Sequence, residues 1–125
     1  MTNFTPPTAF HHIHWNELHG RLLAIEPLAE DKKVVTGTGA HRTATVAKVT
    51  VIDGPESGHV LPVTYIFPGA IRAAVKSHVG ETLLGRVSQG TPPMEGQAPP
   101  WLFVNATDNE DDVTLAALVL SKLTN

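Results

Sequence analysis

Two kinds of side chain in this sequence could bind a ligand together, namely aromatic rings and cationic groups. Flat rings stack on nucleobases, whereas lysine and arginine neutralise phosphates. The candidate rings are Tyr65, Phe67, Trp101 and Phe103. The candidate cations are Lys32, Lys33, Arg42, Lys48 and Arg86. These residue types fit the binding of a single nucleic-acid strand, provided that the fold brings them together.

Each of these residues also has a simpler interpretation. Aromatic side chains often fill a core or anchor a loop, and an isolated surface cation is usually a solvated charge. On extended strands Tyr65 and Phe67 share a face, as do Trp101 and Phe103, because side chains alternate. We therefore expect one pair to fill the core and the other to face a ligand, or both pairs to be core.

The other polar groups do not form a known catalytic or metal-binding pattern. The histidines His11, His12, His14 and His19 cluster near the start, but neither cysteine nor a correctly spaced aspartate accompanies them, so we predict neither metal nor cofactor. The sequence TGTG (36–39) lacks the lysine of a phosphate loop. We expect no enzyme. His41 is placed to contact a phosphate or a base, and His78 is expected in the core.

Composition predicts one domain in a cytoplasmic protein. The chain has 125 residues, of which 42% are hydrophobic, and it has no cysteine, which is typical of a single globular domain. A signal peptide and a membrane-spanning run are not evident. The net charge of −3 arises entirely from residues 107–125, since residues 1–106 hold eight basic and eight acidic residues. A neutral body argues against strong nucleic-acid binding, which usually needs a basic stripe.

Hydrophobic periodicity predicts five strands and two helices. The strands are expected over 20–29, 44–54, 59–67, 82–88 and 100–106, and the helices over 68–80 and 108–125. Pro27 predicts a bend or a bulge, Pro62 predicts an edge strand or a bulge, and Gly85 predicts a bulge or a close approach of the backbone. Residues 30–43 are predicted to form a long loop or a hairpin extension. Thr107 and Glu110 match a capping box. The helix that follows has an apolar stripe formed by Val113, Ala116, Ala117, Leu120 and Leu123. It is apolar nearly all round, which predicts burial on two sides.

This element order predicts a mainly β protein, a five-stranded antiparallel OB-fold barrel (β-β-β-α-β-β) with an added C-terminal helix. We expect an N-terminal arm over 1–15, the OB-fold domain over 16–107, and a helix over 108–125 packed on the barrel or on a partner subunit. OB-folds bind oligonucleotides or oligosaccharides with strands two and three and two long loops, here 30–43 and the proline-rich 89–99. The alternative is an SH3-like or other small β-barrel with an added helix.

The stretches VTYIFPGAIRAAVKSHVGETLLG and LLGRVSQGTPPMEGQAPPWLFVNATDNED resemble a family of small actinobacteriophage proteins. The matching residues are Ile66-Phe67, Gly80, Leu84-Gly85-Arg86, Gln89-Gly90, Pro99-Pro100-Trp101 and Ala106-Thr107. The departures are Glu81 and Val87-Ser88, and the resemblance covers about residues 20 to 118. Members of that family are described as single-stranded-DNA-binding proteins. The resemblance implies a role in phage replication or recombination, in the cytoplasm of the bacterial host.

The first functional hypothesis is therefore binding of single-stranded DNA, or RNA, with low sequence preference. The rings would stack on bases, the five cations would contact phosphates, and the two long loops would close over the strand. The C-terminal helix would form a homo-oligomer. The alternative hypothesis is a structural or assembly module whose helix drives oligomerisation, and a small enzyme is the third.

Overall fold

The computed structural model of the protein describes residues 13–35, 39–92 and 94–124, without the side chains of residues 30, 31 and 124. The strands are β1 (Leu22–Val35), β2 (His41–Val51), β3 (Val60–Ile66), β4 (Leu83–Gln89) and β5 (Trp101–Asn105). The helices are α1 (Gly69–Val75), between β3 and β4, and α2 (Glu110–Thr124). The predicted element order is confirmed.

The five strands form one sheet in the order β3-β2-β1-β4-β5. Every neighbouring pair is antiparallel. The protein is thus mainly β with an antiparallel sheet and a C-terminal helix, as predicted. Alternation in β2 explains the pairing, since β-branched side chains pack well on both faces of a pleated strand.

The segment between the first two strands is mostly a hairpin extension. β1 and β2 pair as far as Val35 opposite His41, so of the two predicted alternatives for 30–43, a long loop or a hairpin extension, the hairpin extension describes most of the segment. Register shifts lie between Pro27 and Ala29 and between Ala29 and Lys32. The bulge beside Pro27 is confirmed. It suits a residue that has no N–H group to donate to a neighbouring strand.

The inner face of the sheet forms the main core with α1. All five strands contribute to it, either with buried side chains or with half-buried ones packed against them. Its buried members are Leu18, Leu23, Ile25, Ala47, Val49, Val51, Leu61, Ile66, Ile71, Val75 and Val87. β3 and β5 are at opposite edges of the strand order, yet Ile66 and Phe103 belong to the same cluster.

Helix α2 packs on part of the outer face of the sheet. Ala116, Val119 and Leu120 form a second cluster with the strand residues Leu22, Ala24 and Leu84 and with Ile52 and Ala106, which directly follow β2 and β5. Val113, predicted in the apolar stripe, is instead 41% exposed. The stripe that meets the sheet is therefore rotated from the prediction.

The predicted capping box of α2 is wrong. The helix begins at Glu110, and Asn109 Oδ1 accepts a hydrogen bond of 3.1 Å from Asp112 N. Asn109 is thus the N-cap. Thr107 bonds instead to Asn105 Oδ1, through its backbone N at 3.0 Å and its hydroxyl at 2.8 Å. The chain needs two more residues to leave β5 before the helix can start.

Helix α1 is shorter than predicted and places His78 outside the core. It ends at Val75, and Ile71 and Val75 are its buried residues. His78 follows in a turn, where Nδ1 lies 2.5 Å from Glu81 Oε2 and the side chain is 43% exposed. The expectation that His78 is a core residue is wrong, because the helix stops before that position.

The described part of the N-terminal segment packs against the core. Ile13 and Trp15 pack against the main core, and Leu18 is buried in it. Residues 1–12 of the predicted arm lie outside the described residues. Among the described helices, none is both long and apolar enough to cross a bilayer.

Candidate nucleic-acid interface

The outer face of β2 changes character along the strand. Side chains at even positions from Arg42 to Lys48 point to this face, because Thr45, Ala47 and Val49 point into the buried side. At the C-terminal end, Ile52 lies under α2. At the N-terminal end, the cluster formed by α2 includes none of the β2 residues from 42 to 48, so this helix does not cover the face there. We call the uncovered end the cation–aromatic face and define it by Lys32, Arg42, Lys48, Tyr65 and Phe67.

The centre of the cation–aromatic face is a contact between a guanidinium and two rings. The Cζ atom of Arg42 lies 4.5 Å from the centroid of the Phe67 ring. The Phe67 ring meets the Tyr65 ring edge to face, with centroids 6.0 Å apart and planes at 67°. Both rings are half-buried and Arg42 is exposed. Such a contact orients the guanidinium while each ring keeps part of its surface accessible.

The register of the strands places two lysines on the same face. Tyr65 lies opposite Val46 on β2, and Lys48 is two positions along on that side. Lys32 lies opposite Ala44, which precedes Val46 on the same side. Both lysines are exposed. Glu26 lies opposite Lys48 and offsets one of the three positive charges.

Lys33 lies on the other face of the β1–β2 hairpin. It pairs with Thr43, whereas its neighbour Lys32 pairs with Ala44. Successive side chains on a strand point to opposite faces. Lys33 is exposed but does not join the cation–aromatic face.

Trp101 and Phe103 belong to the inner side of the sheet. Both are half-buried and pack against the main core. The Trp101 ring meets the His19 ring edge to face, with centroids 5.6 Å apart. The Phe103 ring covers Gly85, where a Cβ atom would lie 2.8 Å from the ring and 2.7 Å from the carbonyl oxygen of Val104. The close approach predicted at Gly85 is therefore present. Trp101 and Phe103 pack on the main core, whereas Tyr65 lies opposite Val46 on the outer face, so the two aromatic pairs lie on different faces of the sheet.

Arg86 is occupied by carboxylates within the chain. Its Nη2 and Nε atoms donate to Asp112 Oδ1 and Oδ2 at 2.6 and 3.1 Å. Its Nη1 atom donates to Asp53 Oδ2 at 2.9 Å and to the carbonyl oxygen of Gly20 at 2.8 Å. Asp53 also accepts from Leu22 N at 2.8 Å. The guanidinium thereby links α2 to the sheet, and its hydrogen bonds are not directed at the cation–aromatic face.

The electrostatics of Arg86 agree with this structural role. The hydrogen bonds that Arg86 donates to Asp112 raise the pKa of Arg86, burial lowers it, and the hydrogen bond that Arg86 donates to Asp53 raises it further. The guanidinium therefore stays charged, and it compensates Asp112, whose residue is only 7% exposed. Without the arginine, that carboxylate would be a costly buried charge.

The proline-rich connection between β4 and β5 is closed at its base. Gly90 N donates to the carbonyl oxygen of Pro100 at 2.9 Å, which brings the two ends together. Gly96 has a φ of +87° and lies in a turn closed by Gln97 N and Met94 O at 3.2 Å. Met94 is exposed. The described residues of this connection, which exclude residue 93, therefore form a loop with a defined turn and a closed base.

A cleft also opens between α1 and the β4–β5 edge. Its volume is about 350 Å³, and its walls include Ala74, Leu83, Phe103 and Asn105. Its lining includes Leu83 and Phe103, which pack on the main core, and Leu84, which packs on the α2 cluster, and it includes none of the residues of the cation–aromatic face. No group of three or more metal-ligating side chains is found within the described residues, from which His11 and His12 are missing.

Sequence patterns could identify part of this face. The alternation of β2 already puts Arg42 and Lys48 on one side. Val34 pairs with Arg42 at the end of the hairpin. The sequence did not predict this pair, because residues 30–43 fitted a loop as well as a hairpin extension. The signal that could have shown it is the pair of β-branched residues Val34 and Val35 directly after Lys32 and Lys33, because β-branched residues are enriched in strands.

No protein-family model matches the chain, and no curated protein or solved structure is significantly similar to it. The geometry of the chain itself must therefore carry any assignment of function.

Proposed function

We propose that the protein binds single-stranded DNA with low sequence preference through the cation–aromatic face. The observation that carries this proposal is the placement of Arg42 4.5 Å over Phe67, with Tyr65 6.0 Å from the same ring. Rings and cations side by side are what a single strand needs, since its bases stack and its phosphates require charge. RNA offers the same groups and competes for the face.

The strand order supports an OB-fold as the scaffold. The order β3-β2-β1-β4-β5, with α1 between β3 and β4, becomes a closed barrel if β3 and β5 meet. A shared core cluster for Ile66 of β3 and Phe103 of β5 favours this curvature. In such a barrel the outer face of β2 and β3 is a binding surface, and that is where Tyr65 and Arg42 lie.

The mechanism follows from the chemistry of the face. One base stacks on the accessible part of Phe67 and a neighbouring base on Tyr65, each contributing about 1–3 kcal/mol. Lys32, Arg42 and Lys48 neutralise phosphates on either side. No contact reads a base edge, so sequence preference is weak. Arg86 and the Trp101–Phe103 pair stabilise the fold and are left out of the proposed contacts.

We also propose that α2 mediates self-association. It exposes apolar side chains on surfaces that do not meet the sheet, including Leu115 and Leu118, the latter 53% exposed. This feature equally favours the alternative function of an assembly module. Sedimentation of the wild type and of Leu118→Ser distinguishes them when combined with DNA titration, because an assembly module self-associates without binding DNA.

The proposal is tested by fluorescence anisotropy of a labelled oligo-dT at several salt concentrations. Three phosphate contacts predict that log K falls with log salt with a slope of about −2. Arg42→Gln removes a cation and its contact with Phe67, so it should weaken binding and flatten the slope. Lys122→Gln, on α2, is the matched control and should bind like the wild type.

Two results would overturn the proposal. One is the absence of micromolar binding at low salt by the folded wild type. The other is an equal loss of affinity in Arg42→Gln and Lys122→Gln, which would mean that net charge rather than this face drives association. Circular dichroism of each variant establishes that it is folded.

A further inference from the structure

The end of the β1–β2 hairpin extends beyond its neighbours in the sheet. β3 pairs with β2 only as far as Thr45, and β4 pairs with β1 only along Leu22–Ile25. The four pairs from Lys32–Ala44 to Val35–His41 follow. Among the described residues, this part is a two-stranded ribbon, about 13 Å long at the usual rise per residue.

The two faces of this ribbon carry the same kinds of group. On the face continuous with the cation–aromatic face are Lys32, Val34 and Arg42. On the opposite face are Lys33, Val35 and His41. Each face therefore combines cationic or hydrogen-bonding groups with a valine near the ribbon end. Lys33 and His41 are exposed, and Val35 is 64% exposed.

A strand that lies across Arg42 and Phe67 covers one side of the ribbon and leaves Lys33 and His41 accessible. A second phosphate backbone passing on that side would meet the remaining donors. The two valines would then lie between the strands at the ribbon end, where apolar side chains can pack against an exposed base pair.

We infer that the ribbon binds the junction between single-stranded and double-stranded DNA. One strand follows the cation–aromatic face, and its complement diverges along Lys33 and His41. Val34 and Val35 contact the last base pair. This inference rests on the proposed function, since it needs one strand bound at the cation–aromatic face. It adds a preferred substrate, a forked duplex, and a second set of contacts.

The test compares a labelled forked duplex with a single-stranded oligonucleotide of the same tail sequence. The wild type should bind the fork several-fold more tightly, with a salt slope steeper by about 1 for each added phosphate contact. Lys33→Gln combined with His41→Gln should remove this preference and leave single-strand affinity unchanged. Lys32→Gln, on the opposite face of the same ribbon, is the control and should weaken both substrates by the same factor.

The outcomes separate the two proposals. If the fork and its tail bind equally well, or if the Lys33→Gln/His41→Gln protein loses affinity for both, the junction inference is overturned while single-strand binding stands. If neither DNA binds, both proposals fail. A Val35→Ser variant provides a second measurement, since it should lower the fork preference without changing any charge.

Discussion

The outer face of the sheet has two ends that differ in what covers them. At one end α2 packs its Ala116 and Val119 on Leu22 and Ile52, and Arg86 joins the helix to the sheet. At the other end Arg42, Lys48 and the Tyr65–Phe67 pair are half-buried or exposed. The same strand, β2, runs through both ends, so strand formation does not decide the difference.

The role of a cation in this fold depends on whether a buried carboxylate lies beside it. Arg86 lies beside a carboxylate that α2 has buried, so its hydrogen bonds are used within the fold. Arg42 lies over a ring, which orients it without neutralising its charge. Covering Arg42 and Lys48 with a helix would require partners for both charges. The uncovered end, which carries these two positive charges, is therefore suited to an anionic ligand.

The largest effect is expected from Arg86→Ala at the covered end. Loss of the guanidinium leaves Asp112 buried without its donor, so the free energy of unfolding should fall by about 2–3 kcal/mol, less than for a fully buried pair because Arg86 is partly exposed. Urea denaturation measures it. The free energy of unfolding of Arg86→Lys should lie between the values for the wild type and Arg86→Ala, since lysine keeps the charge but lacks the planar set of guanidinium donors. A variant that unfolds normally but loses oligo-dT affinity would place Arg86 in the interface instead.

Phe67→Ala tests the cation–aromatic face, which is the uncovered end of the outer face. It should weaken oligo-dT binding by about 1–3 kcal/mol, the contribution of one stacked base, and change stability less. Phe103→Ala is the matched control on the inner side, where loss of a ring packed on the core should lower stability and leave the affinity of the folded protein unchanged. Anisotropy titration and urea denaturation give both quantities. Reversed effects would exchange the roles of the two aromatic pairs.

The cap of α2 is tested by Asn109→Ala. Removal of the Oδ1 acceptor should lower the free energy of unfolding by about 1 kcal/mol, because Asp112 N loses its bond. Thr107→Ala should cost less, since Thr107 bonds to Asn105 in the turn before the helix. A larger cost for Thr107→Ala, measured by urea denaturation, would restore the capping box that the sequence suggested.

The smallest effect is expected from Lys48→Gln. The exposed side chain should leave the free energy of unfolding within about 0.5 kcal/mol of the wild type. The salt slope for oligo-dT binding should become less steep by about 0.7, the contribution of one phosphate on a single strand. An unchanged slope would remove Lys48 from the interface, since Glu26 opposite would then already compensate it.

Local sequence patterns predicted which strands and helices form, but they did not predict the residues at which the helices begin and end. The five strands, the bulge at Pro27 and the close approach at Gly85 follow from alternation and from the special geometry of proline and glycine. The end of α1 and the cap of α2 were misplaced by a few residues. Several residues could serve as caps on sequence grounds, and the length of chain needed to leave a strand decides between them.

The candidate site divides in the same manner. Sequence indicated that one aromatic pair would face the core, but alternation is identical for Tyr65–Phe67 and Trp101–Phe103. The choice depends on which side of each strand meets Ile71, Val75 and the rest of the core. Likewise, Arg86 and Asp112 are 26 residues apart, and no local pattern predicts that pair.

The sequence by itself determined the kinds of element, their order and the alternation that puts Arg42 and Lys48 on one side of β2. These depend on local preferences and on periodicity, which are encoded in neighbouring residues. Only the tertiary structure decided that Arg86 joins α2 to the sheet while Arg42 lies over Phe67. The pairing of distant charges and the choice of the buried face depend on how whole elements pack. The physical reason is that an unpaired charge is costly when it is buried but costs little when it stays in water.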